Sequence, residues 1–157
     1  MKLDWKKLLP CLAIPLAGGG LSAWLTHRGM QEFQNLPQPP LSPPGWAFSV
    51  AWTILYLLMG LASYLVYTDD GPRAGIQAAL WSYGIQLAMN FFWPLLFFNG
   101  QAFLAAAIWL AALLVLAAGT VLRFYHVRPA AGKLMAPYLV WLVFALYLNV
   151  GVYLLNR

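Results

Sequence analysis

Five long stretches of the chain carry no charged side chain: residues 8–26, 46–67, 76–98, 103–122 and 134–155. Each comes close to or exceeds the roughly 20 apolar residues that a helix needs to cross a bilayer core. Between them the polar residues cluster. Lys2, Asp4, Lys6 and Lys7 precede the first stretch, Arg28 and Glu32 follow it, and Asp69, Asp70 and Arg73 follow the second. The third connection is uncharged, the fourth holds Arg123, Arg128 and Lys133, and Arg157 ends the chain. None of the stretches shows the strict alternation of a transmembrane β-strand. The pattern predicts an all-α membrane protein, a bundle of five transmembrane helices in one domain over 1–157, with a long Pro-rich first loop over 28–45.

Composition sharpens this picture by excluding alternatives. Apolar residues make up 62% of the chain and charged residues 8%, against about a quarter charged in soluble domains, so a water-soluble enzyme is excluded. The net charge of +5 does not point to nucleic acid, because the basic residues form no contiguous face. Its distribution predicts orientation instead. The N-terminus and the second and fourth loops share one side and carry seven of the nine Lys and Arg, leaving Arg28 and Arg157 opposite. By the positive-inside rule the N-terminus is cytoplasmic in a bacterial cell membrane. The basic start, MKLDWKK, also suits a signal peptide, but no small-residue cleavage site follows and the apolar run continues through Leu25. Pro10, Pro15 and Gly18 to Gly20 predict a bent or locally loose first helix.

Helical spacing then gathers polar and aromatic residues into three stripes. Trp52, Tyr56, Met59 and Ser63 share a face of the second helix, and Gln86, Asn90, Trp93 and Phe97 a face of the third. Tyr138, Trp141, Ala145, Asn149 and Val152 form the stripe of the fifth. Amides and hydroxyls in hydrocarbon demand partners. They therefore bond neighbouring helices in an aromatic core, or line an apolar pocket with a few orienting polar groups. Such a pocket would take a large, flat, hydrophobic molecule. LPQPPLSPPG, residues 36–45, is stiffened by five prolines and reads either as a lid over that space or as a plain spacer.

Other chemistry is largely excluded. The spans hold no carboxylate, Lys or Arg, against an intramembrane proton relay. One cysteine, Cys11, and two separated histidines, His27 and His126, provide no metal site. No phosphate loop, serine triad or paired carboxylate is present. Small residues four apart, Gly84 with Ala88 and Ala107 with Ala111, permit close helix approach. The first pair is a candidate homodimer contact, and the alanine-rich fourth helix a candidate surface for a partner protein. Leu148, Tyr153 and Arg157 fit a loose sterol-contact pattern, as they fit ordinary snorkelling at a helix end.

Three blocks, PPGWAFSVAWTILYLLMGLASYLVY (43–67), QLAMNFFWPLLFF (86–98) and PYLVWLVFALYLN (137–149), stand in an order and spacing that resemble the TspO/translocator protein family of tryptophan-rich sensory proteins. The resemblance covers nearly the whole chain. It implies a five-helix bundle, commonly dimeric, whose cavity opens near the first loop. It also implies binding of porphyrins such as protoporphyrin IX, of cholesterol or other sterols, and of benzodiazepine-type ligands, with no required cofactor. Some bacterial members are associated with light-dependent porphyrin breakdown involving two tryptophans, which correspond to Trp52 and Trp141. Asn90, Trp93, Ala145, Leu148 and Asn149 match cavity positions, beside Tyr56 and Gln86 from the stripes. The first loop departs from the family's W-Y-x-x-L-x-K-P-x-W-x-P-P. Glu32, Phe33, Leu36, Gln38, Pro39, Leu41, Pro43 and Pro44 stand in the matching places, so two tryptophans, a tyrosine hydroxyl and a lysine are missing from the expected lid.

Overall fold

The computed structural model describes residues 2–157. It contains α1 (Trp5–Phe33), α2 (Gly45–Tyr67), α3 (Arg73–Pro94), a π-helical turn (Leu95–Asn99), α4 (Phe103–Val127) and α5 (Pro129–Asn156). Asp4 caps α1, its side chain accepting from the Lys6 amide at 3.1 Å, and its own amide donates to the Tyr64 hydroxyl at 2.9 Å. That bond ties the start of α1 to the end of the antiparallel α2. Pro129 opens α5, where its missing N–H costs no helical bond.

α1 packs on α2 and α3, α2 on α5, and α4 lies between α3 and α5, so the helices close a ring in the order α1, α2, α5, α4, α3. Met59, Ala62, Val66, Leu110, Leu113, Phe124, Met135 and Leu142 fill its centre. The α1–α2 seam is close at Gly60, where a Cβ would stand 2.7 Å from the Cys11 carbonyl oxygen. The outer surface is apolar too: Trp24, Trp81, Ile108, Val115 and Val140 are exposed. Four helices, α1, α2, α4 and α5, are long and apolar enough to cross a membrane. α3 does not meet that standard, since Gln77, Ser82, Gln86 and Asn90 interrupt its apolar sequence.

Helix ends differ from expectation. α1 runs seven residues beyond the expected end at 26, so Arg28, Glu32 and Phe33 are helical and the first loop shrinks to 34–44. α4 and α5 absorb Arg123 and Lys133, leaving Arg128 alone between them. Hydropathy marks where the apolar run stops, whereas backbone hydrogen bonding continues past it. α1 is assigned as one helix through Pro10, Pro15 and Gly18 to Gly20. The third span, expected over 76–98, divides at Pro94, after which the Gly100 amide bonds the Leu95 carbonyl at 2.9 Å in the wider π pattern.

Candidate functional site

A cavity of about 220 Å³ opens between α1, α2, the α3 end and α5, at the end of the bundle that bears the first loop. Trp52 and Tyr56 from α2, Asn90 and Trp93 from α3, and Ala145, Leu148 and Asn149 from α5 line it. The three stripes thus converge, because each was the buried face of its helix. Trp52 stacks on Tyr56 with ring centroids 5.5 Å apart, and Trp93 stacks on Phe97 at 4.9 Å.

Beneath the cavity the polar groups bond one another. The Tyr56 hydroxyl donates to Asn90 Oδ1 at 2.7 Å. Asn90 Nδ2 donates to the Tyr138 hydroxyl at 2.9 Å, which donates to Gln86 Oε1 at 2.7 Å. Trp93 Nε1 donates to Asn149 Oδ1 at 3.0 Å, and Asn149 Nδ2 to the Phe103 carbonyl at 2.8 Å. These bonds clamp α2, α3, α4 and α5 together, so interhelical bonding and pocket lining are roles of the same residues. Each amide still has a second N–H and a second lone pair. Asn90 and Asn149 can therefore address a ligand without breaking a helix contact.

Two candidates stand behind the wall. Gln86 is fully buried and belongs to the network, with Nε2 unpartnered. Trp141 packs edge-on to Trp52 at 6.2 Å and against Phe48 at 5.8 Å, and its indole N–H is buried without a partner. Trp141 sits at the margin of the α5 stripe, about 60° round the helix from Tyr138, and so backs Trp52 instead of facing the cavity.

Of the expected lid residues, only Phe33 lines the cavity, and it does so as the last residue of α1. Leu36, Pro39, Leu41, Pro43 and Pro44 do not line it; the loop faces it with Gln38 and Ser42. The prolines act as seats. Pro39 is buried against Gly151, where a Cβ would stand 2.7 Å from its ring. The Tyr147 hydroxyl donates to the Pro40 carbonyl at 2.8 Å, and Asn156 Nδ2 to the Pro37 carbonyl at 3.0 Å. Leu41, at φ 70°, is 81% exposed.

Sequence reasoning missed the α1 wall, which supplies Gly19, Gly20, Ser22, Ala23, Thr26 and Met30. The signal was there, in small and hydroxyl residues three and four apart, but the glycine run reads as looseness. Ser49 and Thr53 of α2 complete this side. Gly20, Ala23, Ser49 and Thr53 line the cavity and are exposed, so it is open sideways between α1 and α2. Elsewhere, Gly84 and Ala88 lie on the exposed face of α3, whereas Ala107 is buried and Ala111 exposed on α4. Leu148 lines the cavity, Tyr153 packs on the core and Arg157 is exposed.

The sequence profile of the TspO/MBR family matches residues 11–155. The chain belongs to the TspO/MBR family. It is 34% identical over 152 residues to a tryptophan-rich protein TspO of Archaeoglobus fulgidus, covering 96% of this chain and 97% of the relative. It is 34% identical over 161 residues to the translocator protein of Sus scrofa, covering 100% and 94%. A tryptophan-rich sensory protein of Cereibacter sphaeroides is 34% identical over 156 residues, covering 99% and 95%. Family membership and the apolar helices together make the chain an integral membrane protein.

Proposed function

We infer that this TspO/MBR family member is a binding protein, a sensor or transporter, for porphyrins such as protoporphyrin IX or haem-like tetrapyrroles and for other flat hydrophobic molecules, sterols among them. The carrying observation is the aromatic cavity, in which Trp52, Tyr56, Trp93 and Phe97 surround the polar groups of Asn90 and Asn149. Flat rings stack on such walls, and the spare amide positions orient polar substituents. Its volume of about 220 Å³ lies below the roughly 300–1,000 Å³ of pockets that enclose a drug-sized ligand. A tetrapyrrole would therefore enter edge-first, with the rest of the macrocycle in the gap between α1 and α2 or under a displaced first loop. The first loop offers no lysine to a porphyrin carboxylate, which favours ligands with less acid.

The membrane arrangement belongs to this reading. α3 serves as the fifth span: its 22 residues give about 33 Å of helix, its Gln86 and Asn90 face inward, and Trp81, Ile85 and Phe92 face outward. The N-terminus lies in the cytoplasm of a bacterial cell, with Lys2, Lys6, Lys7, Arg73, Arg123, Arg128 and Lys133 on that side. A homodimer would form through Gly84 and Ala88, since the space beside Gly84 is open.

Titration of the purified protein with protoporphyrin IX tests the reading. Tryptophan fluorescence should quench saturably, and Trp52→Phe with Trp141→Phe should weaken the affinity; an unchanged affinity rejects the pocket. The edge contact of Trp52 with Trp141 favours a second reading, light- and oxygen-dependent degradation of bound porphyrin with the indoles as redox partners. Illumination under oxygen should then bleach porphyrin faster than in the double variant, and equal rates reject it.

A further inference from the structure

A second cavity, of about 290 Å³, lies at the opposite end of the bundle from the first loop. It is framed by Asp69, Gly71 and Pro72 of the second connection, by Gly75, Ile76 and Ala78 of α3, and by Arg123, His126 and Val127 of α4. Acid and base share this space without neutralising each other. Arg123 and Asp69 form no ion pair with each other, so their charged atoms stand beyond 4.0 Å. Asp69 Oδ1 accepts from the Gly71 amide at 2.8 Å, which fixes the carboxylate while leaving Oδ2 available.

We propose that this cavity binds a phosphoethanolamine group, and specifically the headgroup of a phosphatidylethanolamine in the leaflet at this end. Arg123 and His126, one turn apart on α4, would donate to the phosphate, and Asp69 would accept from the primary ammonium. A zwitterion brings an anion and a cation together, which suits a base and an acid that line one cavity without pairing. A guanidinium and a phosphate form charge-assisted bonds, and an ammonium with free N–H groups is what a carboxylate oxygen can receive. A choline headgroup lacks those N–H groups, and a glycerol headgroup lacks the positive charge. The surroundings favour a lipid over a soluble molecule. Ile76, Ala78 and Val127 form an apolar wall, and Leu122, next to Arg123 on α4, is exposed, where an acyl chain would run. The site lies apart from the aromatic cavity, so its standing does not depend on the ligand proposed there.

The test is native mass spectrometry of the delipidated full-length protein, titrated separately with dioleoyl-phosphatidylethanolamine, -phosphatidylcholine and -phosphatidylglycerol, and with soluble phosphoethanolamine. The ethanolamine lipid should be retained about fivefold more tightly than the other two, the effect of one partly exposed charge pair. Asp69→Asn should remove that preference and Arg123→Gln should weaken retention of all three lipids alike, while thermal midpoint and protoporphyrin titration stay as in the wild type. Equal retention of the three lipids, an undiminished preference in Asp69→Asn, or unchanged retention in Arg123→Gln overturns the proposal. A preference for phosphatidylglycerol overturns the role of Asp69. Equal affinity for soluble phosphoethanolamine overturns the lipid assignment.

Discussion

Tyr138→Phe isolates the network that joins the helices. The ring keeps its volume, so no cavity forms, and only the hydroxyl is lost. That hydroxyl accepts from Asn90 Nδ2 at 2.9 Å and donates to Gln86 Oε1 at 2.7 Å, within residues that are 3% and 0% exposed. Two interhelical hydrogen bonds vanish. In membrane proteins each averages about 0.6 kcal/mol, with the strongest near 1.7. Two buried polar atoms are then left bare, which adds to the cost. The expected loss is about 2 kcal/mol, or roughly a 30-fold shift in the unfolding equilibrium. Reversible unfolding in mixed detergent micelles, followed by tryptophan fluorescence, measures it. Gln86→Leu provides the partner for a double-mutant cycle: on that background Tyr138→Phe orphans one fewer atom, and its cost should fall by about half. A loss under about 0.5 kcal/mol for Tyr138→Phe, with strict additivity in the cycle, would refute the hydrogen-bonded account of the bundle.

Three further outcomes follow from individual contacts. Trp93→Phe removes the donor to Asn149 Oδ1 but leaves the Asn149 bond to the Phe103 carbonyl, so stability should fall by about 1 kcal/mol, read by the same unfolding assay. Tyr147→Phe with Asn156→Ala cuts both side-chain tethers of the first loop; amide exchange over 34–44 should accelerate several-fold while the unfolding midpoint moves little. Leu41→Asn relieves a left-handed residue at φ 70°, a conformation that Asn tolerates better than Leu, and should be neutral or stabilising by up to about 1 kcal/mol.

What could be read from the sequence follows from which signals are periodic. Asn90, Asn149 and Trp52 line one cavity because each recurs at the helical period of its helix's inward face, so spacing alone carries them to the same interior. Phe33 and Arg28 were misplaced as loop residues because charge and hydropathy report the bilayer boundary, not the last hydrogen bond of a helix. Ser22 and Thr26 escaped because Thr26 Oγ1 bonds the Ser22 carbonyl of its own helix at 2.8 Å, and such residues carry little hydropathy signal in either direction. Gln38 and Ser42 escaped for another reason. The first loop has no repeat from which facing could be derived, and tethers to α5 decide which of its residues look inward.

If the aromatic cavity holds the ligand, Ala145→Phe should exclude it. Ala145 lines the cavity and takes part in none of the side-chain hydrogen bonds beneath it, so a ring there fills space without cutting the network. Equilibrium titration with protoporphyrin IX in lipid nanodiscs should show at least about a tenfold loss of affinity, with helicity and the unfolding midpoint retained. Wild-type affinity in a folded Ala145→Phe protein would place the ligand elsewhere and contradict the account.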